Sequence, residues 1–206
     1  MLVTADDSDQ AFMEGVDAGG DSMFDYSRFE TTATAKLSYD ENSTWELQLK
    51  LCAERLRYIN PVPLIMSQIN TIEGTGPQWQ SVHTILAELF MNALDHGVLG
   101  LNSELKSSAE GFGQYFNERK RRLNNVDTGF VNISLKYFNR TGGGKMIINV
   151  KDSGPGFDVL GVIKTLSKTD NVELAYAGRG LLLVKQLCDS VEFKDKGTLA
   201  EAIYLW

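Results

Sequence analysis

From Trp45 to Leu51 the chain alternates. Trp45, Leu47, Leu49 and Leu51 fall on one side, and Glu46, Gln48 and Lys50 on the other. This is the period of a strand that buries one face. The period returns in "GFVNISLKYF" (129–138) and is followed by the apolar-rich strand "MIINVKD" (146–152), with "RTGGGK" between them as a flexible hairpin loop. "VEFKD" and "LAEAIYLW" read as a closing hairpin turned at Lys196 and Gly197, and "TTATAKLSY" from residue 31 is strand-like as well.

Other segments follow the helical period. "GPQWQSVHTILAELFMNALDHGVLG" (76–100) is the strongest: Val82, Ile85, Leu86, Leu89 and Ala93 form one apolar stripe. Pro77 suits its first turn, and Gly97 is a good stop with His96 in the last turn. "NPVP" (60–63) breaks the chain and admits a helix from about 62 to 72. Residues 101–128 read as a loop and a second helix, "SAEGFGQYFNERKRRL", and a further helix is expected near 159–166. "GLLLVKQLCDSV" (180–191) is a helix opening on glycines. Hairpins mixed with helices predict an α+β two-layer sandwich, a mixed but mostly antiparallel sheet covered on one face by helices.

Charge divides the chain. Of its 206 residues, the first 42 carry ten acidic and two basic side chains, more than the whole net charge of -7, so the remainder is near neutral. Residues 1–30 therefore read as an acidic leader or the remnant of a preceding domain, and 31–206 as the folded domain. No basic face argues for nucleic acid, and the one basic cluster, "NERKRRLNN" (117–125), reads as a solvated helix face. No apolar run approaches the roughly 18 residues of a membrane span, and the N-terminus lacks the features of a secretory signal. Cys52 and Cys188 form no CxxC pair and read as buried thiols in a reducing cytoplasm.

Three places carry candidate chemistry. On the long helix, Glu88 and Asn92 share a face, with Asp95 and His96 just beyond. Read alone, this is a solvent edge with a polar cap, or an amide oxygen for Mg²⁺ beside a carboxylate base; Mg²⁺ takes hard oxygen ligands and keeps several waters. Next, "VKDSGPGFD" (150–158) sets Asp152 at a strand end, with Gly154 and Gly156 permitting close approach of a ligand. It is either a tight turn or an adenine pocket in which the carboxylate accepts from the exocyclic amine and refuses guanine. Finally, Gly178 and Gly180 bracket Arg179 at a helix start, either a softened helix entry or a phosphate cradle. The spacing fits neither a P-loop nor a dinucleotide turn.

In this order the three places resemble the GHKL (Bergerat) ATPase family. "ELFMNALDHG" (88–97) is similar to its N box, "DSGPGF" (152–157) to its G1 box, "GRGLLLV" (178–184) to its G2 box, and "GT" (197–198) to its closing motif. The likeness covers roughly 44–206. Within the family the chain looks most similar to anti-sigma-factor serine kinases, of the kind fused to response regulators that also carry a PP2C phosphatase. The resemblance implies a Bergerat fold, and residues 1–30 would then come from a receiver or phosphatase domain. It implies ATP and Mg²⁺ as ligands, with Asn92 on the metal and Glu88 as base. It also implies Asp152 on the adenine amine, Gly154 and Gly156 around the base, Gly178, Arg179 and Gly180 over the phosphates, and Thr198 on the adenine side. Asp95 and His96 take N-box positions near the nucleotide. Lys164 and Lys168 fall in the short lid region and read either as ordinary exposed lysines or as contacts to the phosphates.

The implied activity is a protein serine/threonine kinase that phosphorylates an anti-sigma-factor antagonist (STAS) protein in a bacterial partner-switching or two-component pathway. A sigma or anti-sigma factor is a further expected partner, and relatives often form homodimers. Two alternatives stand beside it: a nucleotide-dependent protein-binding (anti-sigma) module without phosphotransfer, and a histidine-kinase-type catalytic domain. The last lacks an upstream acceptor, since His83 and His96 both lie on the nucleotide-binding helix.

Overall fold

The computed structural model describes residues 43–102, 109–159, 161 and 179–206. The expected strand from residue 31, the acidic leader, Lys164, Lys168, Gly178 and most of the helix near 159–166 lie outside them.

Five strands form one sheet: β1 (Trp45–Cys52), β2 (Phe130–Arg140), β3 (Gly143–Asp152), β4 (Ser190–Lys194) and β5 (Leu199–Leu205). Their order is β1-β2-β3-β5-β4, and every neighbouring pair is antiparallel. The helices are α1 (Ala53–Leu56), α2 (Pro61–Glu73), α3 (Gln78–Asn92), α4 (Ala109–Asn125) and α5 (Arg179–Leu187). The expected α+β sandwich is what the sequence builds.

Register explains the layering. Directly opposed residues of antiparallel strands share a face, so Leu49, Ile133, Val150, Ala200 and Phe193 form one row across all five strands. Val131, Ile133 and Leu135 of β2 and Met146, Ile148 and Val150 of β3 are all buried on that face. Against it pack Ile65 and Ile69 of α2 and Val82, Ile85, Leu86 and Leu89 of α3, the stripe read from the 3.6-residue period. Each such side chain, fully buried, contributes about 1.5–3 kcal/mol. Asn60 caps α2 through Val62 N–H to Oδ1 at 3.1 Å, with Pro61 in the first turn.

Two local features depart from the sequence expectation. The glycine hairpin is tight: Arg140 already pairs with Gly143, leaving Thr141 and Gly142 as the turn. Gly143 and Gly144 are strand residues because Trp206 lies over them, its carbonyl accepting from Gly144 N–H at 2.9 Å. Trp206 also stacks on Tyr137 at 5.8 Å and meets Trp79 edge-on at 5.3 Å, while Trp45 tilts against Tyr137 at 5.5 Å. Second, the long helix does not run α-helical to Gly97. At Ala93 it widens into a π-helical turn, Ala93–Val98, with Leu99 N–H donating to Leu94 O at 2.8 Å. Such turns concentrate at functional sites.

Candidate nucleotide-binding site

The site opens between α3, its π turn, the end of β3 and the start of α5. A cavity of about 350 Å³ lies there, within the size range of small-molecule sites. Its floor is the cross-strand row already described: Val150, Ala200 and Phe193 line it. Leu89, Asn92 and His96 form one wall, and Leu181 of α5 another.

Asp152 is the polar group of the floor. It ends β3 on the inward face, and its Oδ1 accepts from Gly154 N–H at 2.7 Å. Its own N–H donates to Thr198 O at 2.9 Å. Burial pushes its carboxyl above the ordinary aspartate value, and the Gly154 hydrogen bond opposes that shift in part.

Glycines make the approach possible. The Gly97 backbone lies against the Asp152 carboxylate so closely that a Cβ would overlap it, and Gly154 packs in the same way on the Gly97 carbonyl. Gly156 adopts φ +82, where a side chain is strained, and a Cβ there would strike the Lys196 carbonyl. That same carbonyl accepts from Phe157 N–H at 3.0 Å, tying the loop to the β4–β5 turn. Phe157 meets Phe193 of the floor edge to face at 5.3 Å, and both line the cavity.

On α3, Asn92 faces the cavity, and its Nδ2 is buried without a hydrogen-bond partner. An amide N–H left unpaired is costly unless an acceptor meets it, so this group suits a ligand that brings an acceptor oxygen, such as a phosphate. One turn earlier on the same face, the Glu88 carboxylate rests against Gly180 in the first turn of α5. Among the described residues no three His, Cys, Asp or Glu side chains converge to hold a metal. A divalent cation beside Asn92 would therefore draw most of its ligands from phosphates and water, as Mg²⁺ commonly does.

His96 lines the cavity, with Nδ1 2.7 Å from Leu101 O. Arg179 opens α5 and is exposed. Two residues sit differently from expectation. Thr198 does not line the cavity; its hydroxyl donates to Asp195 O at 2.9 Å and holds the β4–β5 turn, while its backbone supports Asp152. Asp95 is turned away altogether. It is 2% exposed and bonded to Tyr115 and Arg119, because the wider π turn carries position 95 off the face of Asn92. Phe157, Phe193, Leu181 and Asn102 line the cavity without having stood out in the sequence; only the register Phe193↔Ala200 across from Val150 would have found Phe193.

A search of curated proteins gave no match. A family model described as a histidine kinase-like ATPase domain matches residues 52–204. Domains of this GHKL type bind ATP, typically with Mg²⁺, and a cavity with an unpaired amide N–H, a half-buried carboxylate and a glycine-lined approach is chemically suited to that ligand. No helix among the described residues is long and apolar enough to cross a membrane. The matched span takes in β2, β3, β4 and all of β5 but Leu205, only Cys52 of β1, and every residue that lines the cavity, and the chain belongs to the histidine kinase-like ATPase family.

Proposed function

We propose that the chain is an ATP-dependent protein serine/threonine kinase of the anti-sigma-factor type, and that its substrate is an anti-sigma-factor antagonist of the STAS kind. The observation that carries this reading is the Glu88 carboxylate, one helical turn from the cavity-lining Asn92 and held against Gly180. A nucleotide-dependent binding module has no need of a carboxylate at that place; a phosphotransferase needs a base there.

In this reading Asp152 accepts from the adenine exocyclic amine, and Gly97, Gly154 and Gly156 let the base reach it. Asn92 offers its amide oxygen to the cation, which would neutralise charge on the phosphates. Arg179 and Gly180 lie on the phosphate side. Glu88 takes the proton of the acceptor hydroxyl as its oxygen attacks the γ-phosphorus; the bond from that phosphorus to the β–γ bridging oxygen breaks, and ADP leaves. Positioning and charge neutralisation supply most of such a reaction's acceleration.

The test is incubation with γ-labelled ATP and a STAS-type antagonist from the same organism. Transfer to a serine or threonine is expected, with Glu88→Gln abolishing it while ATP binding persists, and Asn92→Ala abolishing it as well. Label that reaches the antagonist undiminished from Glu88→Gln removes the proposed base.

A further inference from the structure

Asp95 is the one fully buried charged side chain among the described residues. Its two oxygens are both engaged by α4: Tyr115 Oη donates at 2.7 Å and Arg119 Nε at 2.7 Å. Tyr115 is itself 1% exposed, and Tyr115 and Arg119, four residues apart, share the inward face of their helix. A carboxylate so deeply placed depends on those partners. α4 grips the chain again just past the π turn, where Arg122 Nη1 donates to Leu99 O at 2.8 Å and to Gly100 O at 2.7 Å.

What α4 grips in this way is the segment that shapes the nucleotide cavity. Asp95 lies between Asn92 and Gly97 on one continuous turn. Gly97 abuts the Asp152 carboxylate, and its carbonyl abuts Gly154. His96 lines the cavity wall. The turn closes through Leu99 N–H to Leu94 O and Leu101 N–H to Asp95 O, both at 2.8 Å. An α-helical continuation would place positions 95–97 differently about the axis, so the width of this turn decides what faces Asp152.

We propose that α4 is a positioning element of the nucleotide site, in which Tyr115 and Arg119 hold Asp95 and thereby fix the π turn that sets Gly97 against Asp152. Neither residue lines the cavity; both act through the turn. The inference uses only the nucleotide binding of the family and stands apart from the identity of the phosphoryl acceptor.

The experiment is equilibrium binding of ATP to the full chain, with hydrogen exchange at the Leu99 and Leu101 amides and a melting temperature for each variant. Tyr115→Phe removes one hydrogen bond with almost no change of volume. It is expected to raise the Kd for ATP roughly three- to tenfold and to speed exchange at both amides. Asp95→Asn, which keeps the shape but loses the charge, is expected to do the same should Tyr115→Phe fold poorly. Lys120→Ala, on the exposed side of α4, is expected to leave both readouts unchanged. A role confined to stability would lower the melting temperature alone. An unaltered Kd in both Tyr115→Phe and Asp95→Asn, whatever the melting temperatures, overturns the proposal. Failure of phosphoryl transfer to any protein acceptor bears on the kinase reading and leaves this one intact.

Discussion

The Glu88 carboxylate and the Gly180 backbone occupy adjoining space with no room for a side chain between them. The contact joins the last full turns of α3 to the first turn of α5, so the position of the carboxylate depends on residue 180 having no Cβ. Gly180→Ala would favour helix by about 1 kcal/mol while displacing the carboxylate. The expected outcome is an unchanged or higher melting temperature and a loss of roughly a hundredfold in phosphoryl transfer that exceeds any loss of ATP affinity. Steady-state transfer kinetics set beside equilibrium ATP binding make the check.

Asp152 ties affinity to instability. Its carboxyl is raised by burial, so the folded protein holds that proton more tightly than the unfolded chain does. Its contribution is favourable at low pH and declines as pH climbs from the ordinary carboxylate range through the raised value; above it, the penalty is constant. Asp152→Asn removes this penalty. The nucleotide-free variant is expected to be at least as stable as the parent at neutral pH, and its stability to lose part of the acid-side pH dependence. ATP affinity should fall roughly tenfold or more, the scale of a lost charge-assisted hydrogen bond. Denaturant melts across pH, with ATP titrations at pH 7, test both halves.

Gly156→Ala meets a different obstacle. The φ of +82 costs a side chain about 1–2 kcal/mol, and the Lys196 carbonyl in its way is backbone, not a movable side chain. A larger loss than the conformational term alone is expected in urea unfolding, together with weakened ATP binding as the Phe157–Lys196 hydrogen bond opens.

Cys188 should be inert in the native protein. Burial pushes its thiol up to about 11, which leaves almost no thiolate at neutral pH. Alkylation at pH 7.5 is expected to modify it slowly when folded and promptly in denaturant, as mass spectrometry of the peptides would show.

Much of the fold is legible because each strand buries one face. Trp45 to Leu51 and Phe130 to Phe138 announce themselves by alternation, and the stripe from Val82 to Leu89 marks the helix that covers them. What stays hidden depends on residues distant in sequence. Gly143 and Gly144 read as loop because their reason for being glycine, Trp206, is some sixty residues away. Asp95 reads as a neighbour of Asn92 because spacing assumes an α-helix, whereas contacts from Tyr115 and Arg119 accompany a wider turn. Thr198 carries a hydroxyl beside the adenine-side motif, yet a local hydrogen bond to Asp195 claims it. Phe193 belongs to the cavity through register alone.

The aromatic cluster around Tyr137 has an optical consequence. All three tryptophans of the chain, Trp45, Trp79 and Trp206, gather there, at the Gly144 end of β3 and eight residues from Asp152. That is about 26 Å along an extended strand. Intrinsic tryptophan emission is therefore expected to follow the packing of Trp206 on Tyr137 and Trp79, and to change little when a ligand fills the cavity at the Asp152 end of the strand.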